Sequence, residues 1–209
     1  MLVGIVGFAG SGKDTIGQYL IDQHKFQKDS YAKPLKDAVA TIFNWPREML
    51  EGDSISSRSW REQVDPFWSE VLGREVTPRW ILQNIGTELF RKYLHPDLWV
   101  MSMKHRLQQK INENIVITDC RFPNEIQLLR DFGGSIIRVI RGSEPEWFSI
   151  AKEANCGNEE AKKEMTKYNI HYSEWAWAGL RFDNEIYNNC DKEMLFAKVD
   201  SLMFNNADY

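Results

Sequence analysis

Three features predict an α/β sandwich around a central parallel sheet. Apolar runs of strand length alternate with helical patterns, a glycine-rich turn joins the first run to the first helix, and 209 residues suit one sizeable core. Leu2 to Val6 is the first run, apolar throughout as a strand buried on both faces should be, and it ends at Gly7. From Asp14 the pattern turns helical, with Ile16, Tyr19 and Leu20 on one face, and fades near His24. Phe26 to Tyr31 reads as a second strand, and a helix opens at Pro34, whose fixed φ suits a first turn. Residues 45–76 are polar and rich in Ser, Arg and Trp, without a clear period. Thr77-Pro78 is an N-cap and first helical position for a helix reaching about Leu94; His95-Pro96 interrupts it, and a second helix runs to about Asn112. Ile115 to Ile117 is another buried strand, running out at Asp119. A helix, a strand over 135–140, a polar excursion from Gly142, a late strand near Ile186 and a final helix complete the pattern. We expect a single domain over 1–209, with a helical insertion over about 45–112 and a lid-like excursion over about 142–172.

Composition excludes several classes. A net charge of -4 argues against a protein that coats nucleic acid polymers, because such a surface must be basic to displace counterions. The three cysteines (Cys120, Cys156, Cys190) are odd in number and widely spaced, which fits a reducing cytoplasm better than a disulfide framework or a zinc site. The apolar start carries no basic stretch before it and runs straight into the glycine-rich turn, so it reads as a strand and not as a signal peptide. No apolar run reaches membrane-spanning length. The expectation is a cytoplasmic protein without a membrane partner. A homodimer is compatible with this size, and no residue pattern demands one.

Gly7-Phe8-Ala9-Gly10-Ser11-Gly12-Lys13 matches G-x-x-x-x-G-K, with an apolar strand before it and a helix after it. Glycines such as Gly10 and Gly12 let backbone N–H groups, Ser11's among them, wrap phosphates. The helix N-terminus adds positive potential, and Lys13 reaches the β- and γ-phosphates. The sandwich is therefore expected to be of the P-loop NTPase kind. The residue after the lysine is Asp14, followed by Thr15, where Ser or Thr is usual. A carboxylate beside phosphates calls for a cation between them, so Asp14 is a candidate for holding Mg²⁺; its other reading is complementing the helix dipole.

At the end of the 115–117 run, Asp119 stands where Walker-B acids organise magnesium, and Arg121 follows where it would clamp a phosphate. The alternative has Asp119 capping the next helix and Arg121 pairing with a surface acid. On the helix from Pro78, Leu82, Ile85, Leu89 and Tyr93 form an apolar stripe, while Arg79, Gln83, Thr87 and Arg91 recur along another face. Gln83 suits the edge of a base, Arg91 an acceptor phosphate, and Gly86 the close approach of a ligand or a neighbouring backbone; the other reading of this polar face is a solvated helix surface.

Four islands carry a family resemblance: Gly7 to Thr15; Ala32 to Asp37; Leu82 to Glu88 with Arg91 and Trp99; and Thr118 to Glu125. On these the chain resembles the deoxynucleoside monophosphate kinases of bacteriophages, with weaker matches at Arg141, at His171 to Glu174 and at Ile186 to Asn188. The resemblance implies ATP and Mg²⁺ at the phosphate loop, with Arg141 and Asn188 near the ATP base. It also implies a deoxynucleoside monophosphate held by Lys33, Lys36, Gln83, Gly86, Thr87, Glu88, Arg91 and Trp99, in the cytoplasm of the host cell. Two stretches depart from the family pattern. The excursion past Arg141 is long and contains no further arginine up to residue 169, and the Trp-rich stretch over 45–80 lacks a counterpart.

A monophosphate acceptor is already anionic near neutral pH, its second pKa being about 6, so the chemistry calls for charge screening and alignment by Lys13, Arg121, Arg91 and a metal near Asp14 and Asp119. A hydroxyl acceptor would want a carboxylate base such as Asp119 or Glu88; a phosphomevalonate-type or nucleoside kinase is the alternative within this class. A nucleotide switch is the alternative outside it. The chain lacks an Asn/Thr-Lys-x-Asp base-recognition motif, and Asp131-Phe132-Gly133-Gly134 reads as a turn between a helix and a strand.

Overall fold

The computed structural model describes residues 1–204. The chain begins β1 (Leu2–Val6), α1 (Lys13–His24) and β2 (Gln27–Asp29). It continues through α2 (Lys33–Phe43), a 3₁₀ turn (Arg47–Leu50), α3 (Ile55–Arg61), α4 (Pro66–Leu72), α5 (Pro78–Gln83), a π-helical segment (Asn84–Leu94) and α6 (Leu98–Gln108). There follow β3 (Ile115–Ile117), α7 (Pro123–Asp131), β4 (Ser135–Ile140), α8 (Phe148–Asn155), α9 (Glu159–Lys167), a 3₁₀ turn (Tyr172–Glu174), β5 (Asn184–Tyr187) and α10 (Lys192–Met203). Two compact units result. One joins residues 1–30 to the chain from Leu107 onward, and the other is Tyr31–Arg106.

The first unit is built on a five-stranded sheet in the order β2-β3-β1-β4-β5, parallel at every pairing. On one face Val3, Ile5, Val116, Ile137, Val139 and Ile186 meet Ile16 and Leu20 of α1 and Leu195 and Val199 of α10 in one buried cluster. Each such aliphatic side chain contributes ~1.5–3 kcal/mol by leaving water. On the other face α7 packs against β1 and β4 through Ile126, Leu128 and Leu129. The result is the three-layer parallel sandwich that the alternating pattern predicts. The two helices on the first face are also tied by polar groups: Tyr19 Oη donates to Asp200 Oδ2 at 2.6 Å, and His24 Nε2 lies 2.8 Å from Asp200 Oδ1.

The second unit is helical, with Leu35, Val39, Phe43, Trp45, Leu50, Val76, Ile81 and Trp99 in its core. The stretch without a readable period resolves into short capped helices. Ser54 accepts from Ser57 N, Asp65 from Trp68 N, and Thr77 from Trp80 N, the last as its position before Pro78 predicts. Two of its tryptophans pack with satisfied N–H groups: Trp45 donates to Asp65 Oδ2 at 2.7 Å and Trp68 to the Phe43 carbonyl at 3.0 Å. The helix expected from Pro78 to about Leu94 is α-helical only to Gln83. In the π-helical remainder the turn is wider, so residues spaced by three or four rotate off a common face. Leu89 and Tyr93, expected on an apolar stripe, are accordingly 50% and 73% exposed. Among the described residues no helix is long and apolar enough to cross a membrane.

Candidate active site

The glycine-rich turn leaves the C-terminal end of the central strand β1, where ligands bind in open parallel sheets. Gly12 is the N-cap residue of α1 and lies at φ 105°, a left-handed conformation. A Cβ there would sit 2.4 Å from Asn188 Nδ2, so the position needs glycine on both counts. Asn188 follows β5, is buried, and donates from Nδ2 to the Ser11 carbonyl at 2.8 Å. The structure thus places Asn188 beneath the loop as a brace. Gly10 has φ 78°, and its carbonyl lies 3.5 Å from Arg141 Nη1. Lys13 donates from Nζ to the carbonyls of Gly7 and Phe8, both at 2.7 Å, so its ammonium is held inside the loop. Ser11 Oγ is buried with no hydrogen-bond partner, an orphan polar atom in a turn whose N–H groups suit an anion. Thr15 lies half-buried in the first turn of α1.

The end of β3 contributes through Thr118, whose hydroxyl donates to Asp14 Oδ1 at 2.8 Å. Thr118 is buried and orients the carboxylate that follows Lys13. Thr118 opens the last of the four islands, but its signal as a site residue is only a hydroxyl at the end of an otherwise apolar run. Asp119 comes next and is half-buried. Capping of α7 falls to Glu125, whose Oε2 accepts from Arg121 N at 2.8 Å and Phe122 N at 3.1 Å. Burial raises the Cys120 thiol pKa well above its ordinary value, and the Asp119 and Glu125 carboxylates add to the rise. The Arg121 guanidinium pairs with Glu174 Oε1 at 2.5 Å and contacts Ser173 Oγ at 3.3 Å. This is the surface pairing weighed as an alternative. Both partners are substantially exposed, so the pair itself is worth ~0–1 kcal/mol. It can yield to a phosphate that offers better acceptors.

In the helical unit, Lys33 pairs with Asp37 at 2.8 Å and Lys36 with Glu51 at 2.7 Å. Arg47 bridges the same two acids, at 2.5 Å to Asp37 and 2.6 Å to Glu51. Burial works to raise the Glu51 pKa, but hydrogen bonds and charge from Lys36 and then Arg47 bring it below the ordinary carboxylate value. Gln83, Thr87 and Glu88 are exposed and Arg91 is half-buried. Gly86 is buried, and a Cβ on it would meet Leu35 Cδ2 at 2.7 Å, so the close approach it permits is by Leu35. Trp99 lies in the core, 8% exposed, and donates to the Gly86 carbonyl at 3.0 Å.

A parallel sheet carrying G-x-x-x-x-G-K between its central strand and the following helix defines a P-loop nucleotide-binding protein. Residues 68–152 match the family model described as deoxynucleotide monophosphate kinase. A protein of Acanthamoeba polyphaga mimivirus, named provisionally as a deoxynucleotide monophosphate kinase, is 32% identical over 152 residues, 68% of this chain and 74% of its own. The deoxynucleoside-5'-monophosphate kinase of Escherichia phage T5 is 25% identical over 249 residues, covering 93% of this chain and 97% of its own. The chain belongs to the deoxynucleotide monophosphate kinase family. Among solved structures, shikimate kinase from Aquifex aeolicus covers 99% of this chain and 98% of its own at 14% identity, with a TM-score of 0.45, a distant likeness that adds nothing to the topology above.

Proposed function

We propose that this protein transfers the γ-phosphoryl group of ATP to a deoxynucleoside monophosphate, giving the diphosphate. The observation that carries the proposal is the phosphate cradle, with Lys13 and the orphan Ser11 hydroxyl inside a left-handed glycine turn, in a member of this kinase family. The acceptor's oxygen is already anionic at neutral pH, so no strong base is required, and catalysis consists of positioning and charge neutralisation. Loop N–H groups and Lys13 bind the triphosphate, the lysine exchanging its contacts to the Gly7 and Phe8 carbonyls for phosphate oxygens. Arg121 leaves Glu174 to take up charge on the transferred group. The acceptor set is Lys33, Lys36, Gln83, Thr87, Glu88 and Arg91, of which Arg91 binds its phosphate and Gln83 its base. Gly86 and Trp99 support that set from the core.

The oxygen donors suit Mg²⁺, which takes one or two carboxylates alongside substrate phosphates: Asp14, aimed by Thr118, and Asp119 one residue on would hold it. Bound there, the ion would neutralise charge on the β- and γ-phosphates. Free thiols at Cys120, Cys156 and Cys190 agree with work in a reducing cytoplasm.

The test is coupled ATP turnover with Mg²⁺ across the four deoxynucleoside monophosphates, their ribo-analogues and phosphomevalonate, alongside Lys13→Ala. Turnover with a deoxynucleotide, abolished in Lys13→Ala, is the expected result. ATP binding without acceptor-dependent turnover would refute the proposal.

A further inference from the structure

The residue that follows the first glycine of the loop is aromatic, and its ring is not left to solvent. Phe8 packs against three rings from the chain between β4 and β5, with centroids at 5.6 Å to Trp147, 5.2 Å to Phe148 and 4.9 Å to Trp177. Phe148 and Trp177 are 1% and 2% exposed. The same residue's carbonyl accepts the Ser11 N–H at 3.1 Å and the Lys13 ammonium at 2.7 Å. Ring and carbonyl are joined through one Cα, so the box that holds the ring limits where the acceptor around which the loop closes can lie. The backbone is pinned on the preceding side too. Gly7 has φ 149°, and a Cβ there would stand 2.4 Å from the Val139 carbonyl oxygen of β4.

The box is itself rigid. Asn155 at the end of α8 donates from Nδ2 to the carbonyls of Trp175 at 3.0 Å and Ala178 at 2.9 Å, clamping the turn that carries Trp177. Beneath it the buried Arg138 guanidinium of β4 lies 5.0 Å from the Phe148 ring centroid and 5.3 Å from that of Trp177. Glu144 and Glu185 compensate its charge.

We infer that Phe8 is a positioning residue of the phosphate loop, and that Trp177, through Phe8, sets the affinity for ATP. The excursion is then a buttress of the loop. The inference rests on the reading of that loop as the cradle of ATP.

The experiment measures the ATP dissociation constant by calorimetry, the acceptor KM and the melting temperature for Phe8→Leu, Trp177→Leu, Trp177→Phe and the Phe8→Leu/Trp177→Leu double variant. We expect roughly tenfold weaker ATP binding in either leucine variant, ~1.4 kcal/mol, with the acceptor KM unchanged. The double variant should be no weaker than the worse single, because both act through one contact. Trp177→Phe should restore most of the affinity. A lowered melting temperature with unchanged ATP affinity, or additive losses in the double variant, overturns the inference. Should Trp177→Leu fail to fold, Phe8→Leu on the half-buried loop still decides it, since unchanged ATP affinity there overturns it as well. Lys13→Ala distinguishes the underlying reading: if that variant binds ATP normally, the loop is not the cradle, whatever the box does.

Discussion

Asn188→Ala removes one hydrogen bond and leaves one buried carbonyl, so its cost can be worked from the structure. The Asn188 side chain is 7% exposed and its amide reaches the Ser11 carbonyl at 2.8 Å. Stranding a buried acceptor costs ~1–3 kcal/mol. In a chain of about 200 residues each kcal/mol lowers Tm by about 2–4 °C, so a drop of roughly 2–12 °C is expected. The orphaned carbonyl lies within the phosphate loop, so ATP should also stabilise the variant less. A tenfold weaker site at fixed excess ATP gives up ~1.4 kcal/mol of ligand stabilisation. Thermal melting with and without ATP reads both effects. Asn188→Asp keeps the volume and turns an acceptor toward the same carbonyl, so it should melt no higher than the alanine variant. The competing role, contact with the ATP base, predicts a changed preference between ATP and GTP at nearly unchanged Tm. That outcome, or a Tm within about one degree of the parent in both variants, would refute the brace.

Gly12→Ala forces a Cβ into the left-handed region at ~1–2 kcal/mol and against the Asn188 amide, so a folded variant should bind ATP far more weakly; parental affinity would sink the loop geometry. Arg121→Ala should shift Tm by no more than a few degrees, because the exposed pair with Glu174 is worth ~0–1 kcal/mol, while kcat falls on the order of a thousandfold. Intact kcat in that variant would leave Arg121 only its surface ion pair. Glu51 has a folded pKa below its ordinary 4.5, so its share of stability is fully present above that value and lost as pH falls through the folded one. Glu51→Gln should therefore show a smaller loss of stability between neutral pH and pH 4 than the parent, and an equal acid loss in the two proteins would remove Glu51 from the account.

Legibility followed the range of the forces involved. The runs at Leu2–Val6, Ile115–Ile117 and Ser135–Ile140 announce themselves because a central parallel strand is apolar on both faces, and all three are strands of the sheet. Thr77 announces itself because a cap is a bond to a residue three positions on. The segment after Gln83 does not, because its residue spacing suits a 3.6-residue turn and the backbone there follows a wider one. Nor do Arg121 with Glu174 or Thr118 with Asp14, partners 53 and 104 positions apart that only the sheet brings together.

The phosphate loop shows the same division inside one motif. Its fixed letters, the glycines and the lysine, are those whose backbone or charge meets phosphate directly, and they can be read without knowing what surrounds them. Its variable letters face the rest of the protein. Phe8 occupies one of them, and its partners Trp147 and Trp177 lie far along the chain, between β4 and β5. Ser11 occupies another, and its carbonyl waits for an asparagine 177 positions later. What distinguishes this loop from other loops of the same pattern is therefore written in residues the pattern leaves open. Phe8 should tolerate substitution only when the rings around it change with it, whereas Asn188 meets a backbone carbonyl and is indifferent to the side chain at Ser11.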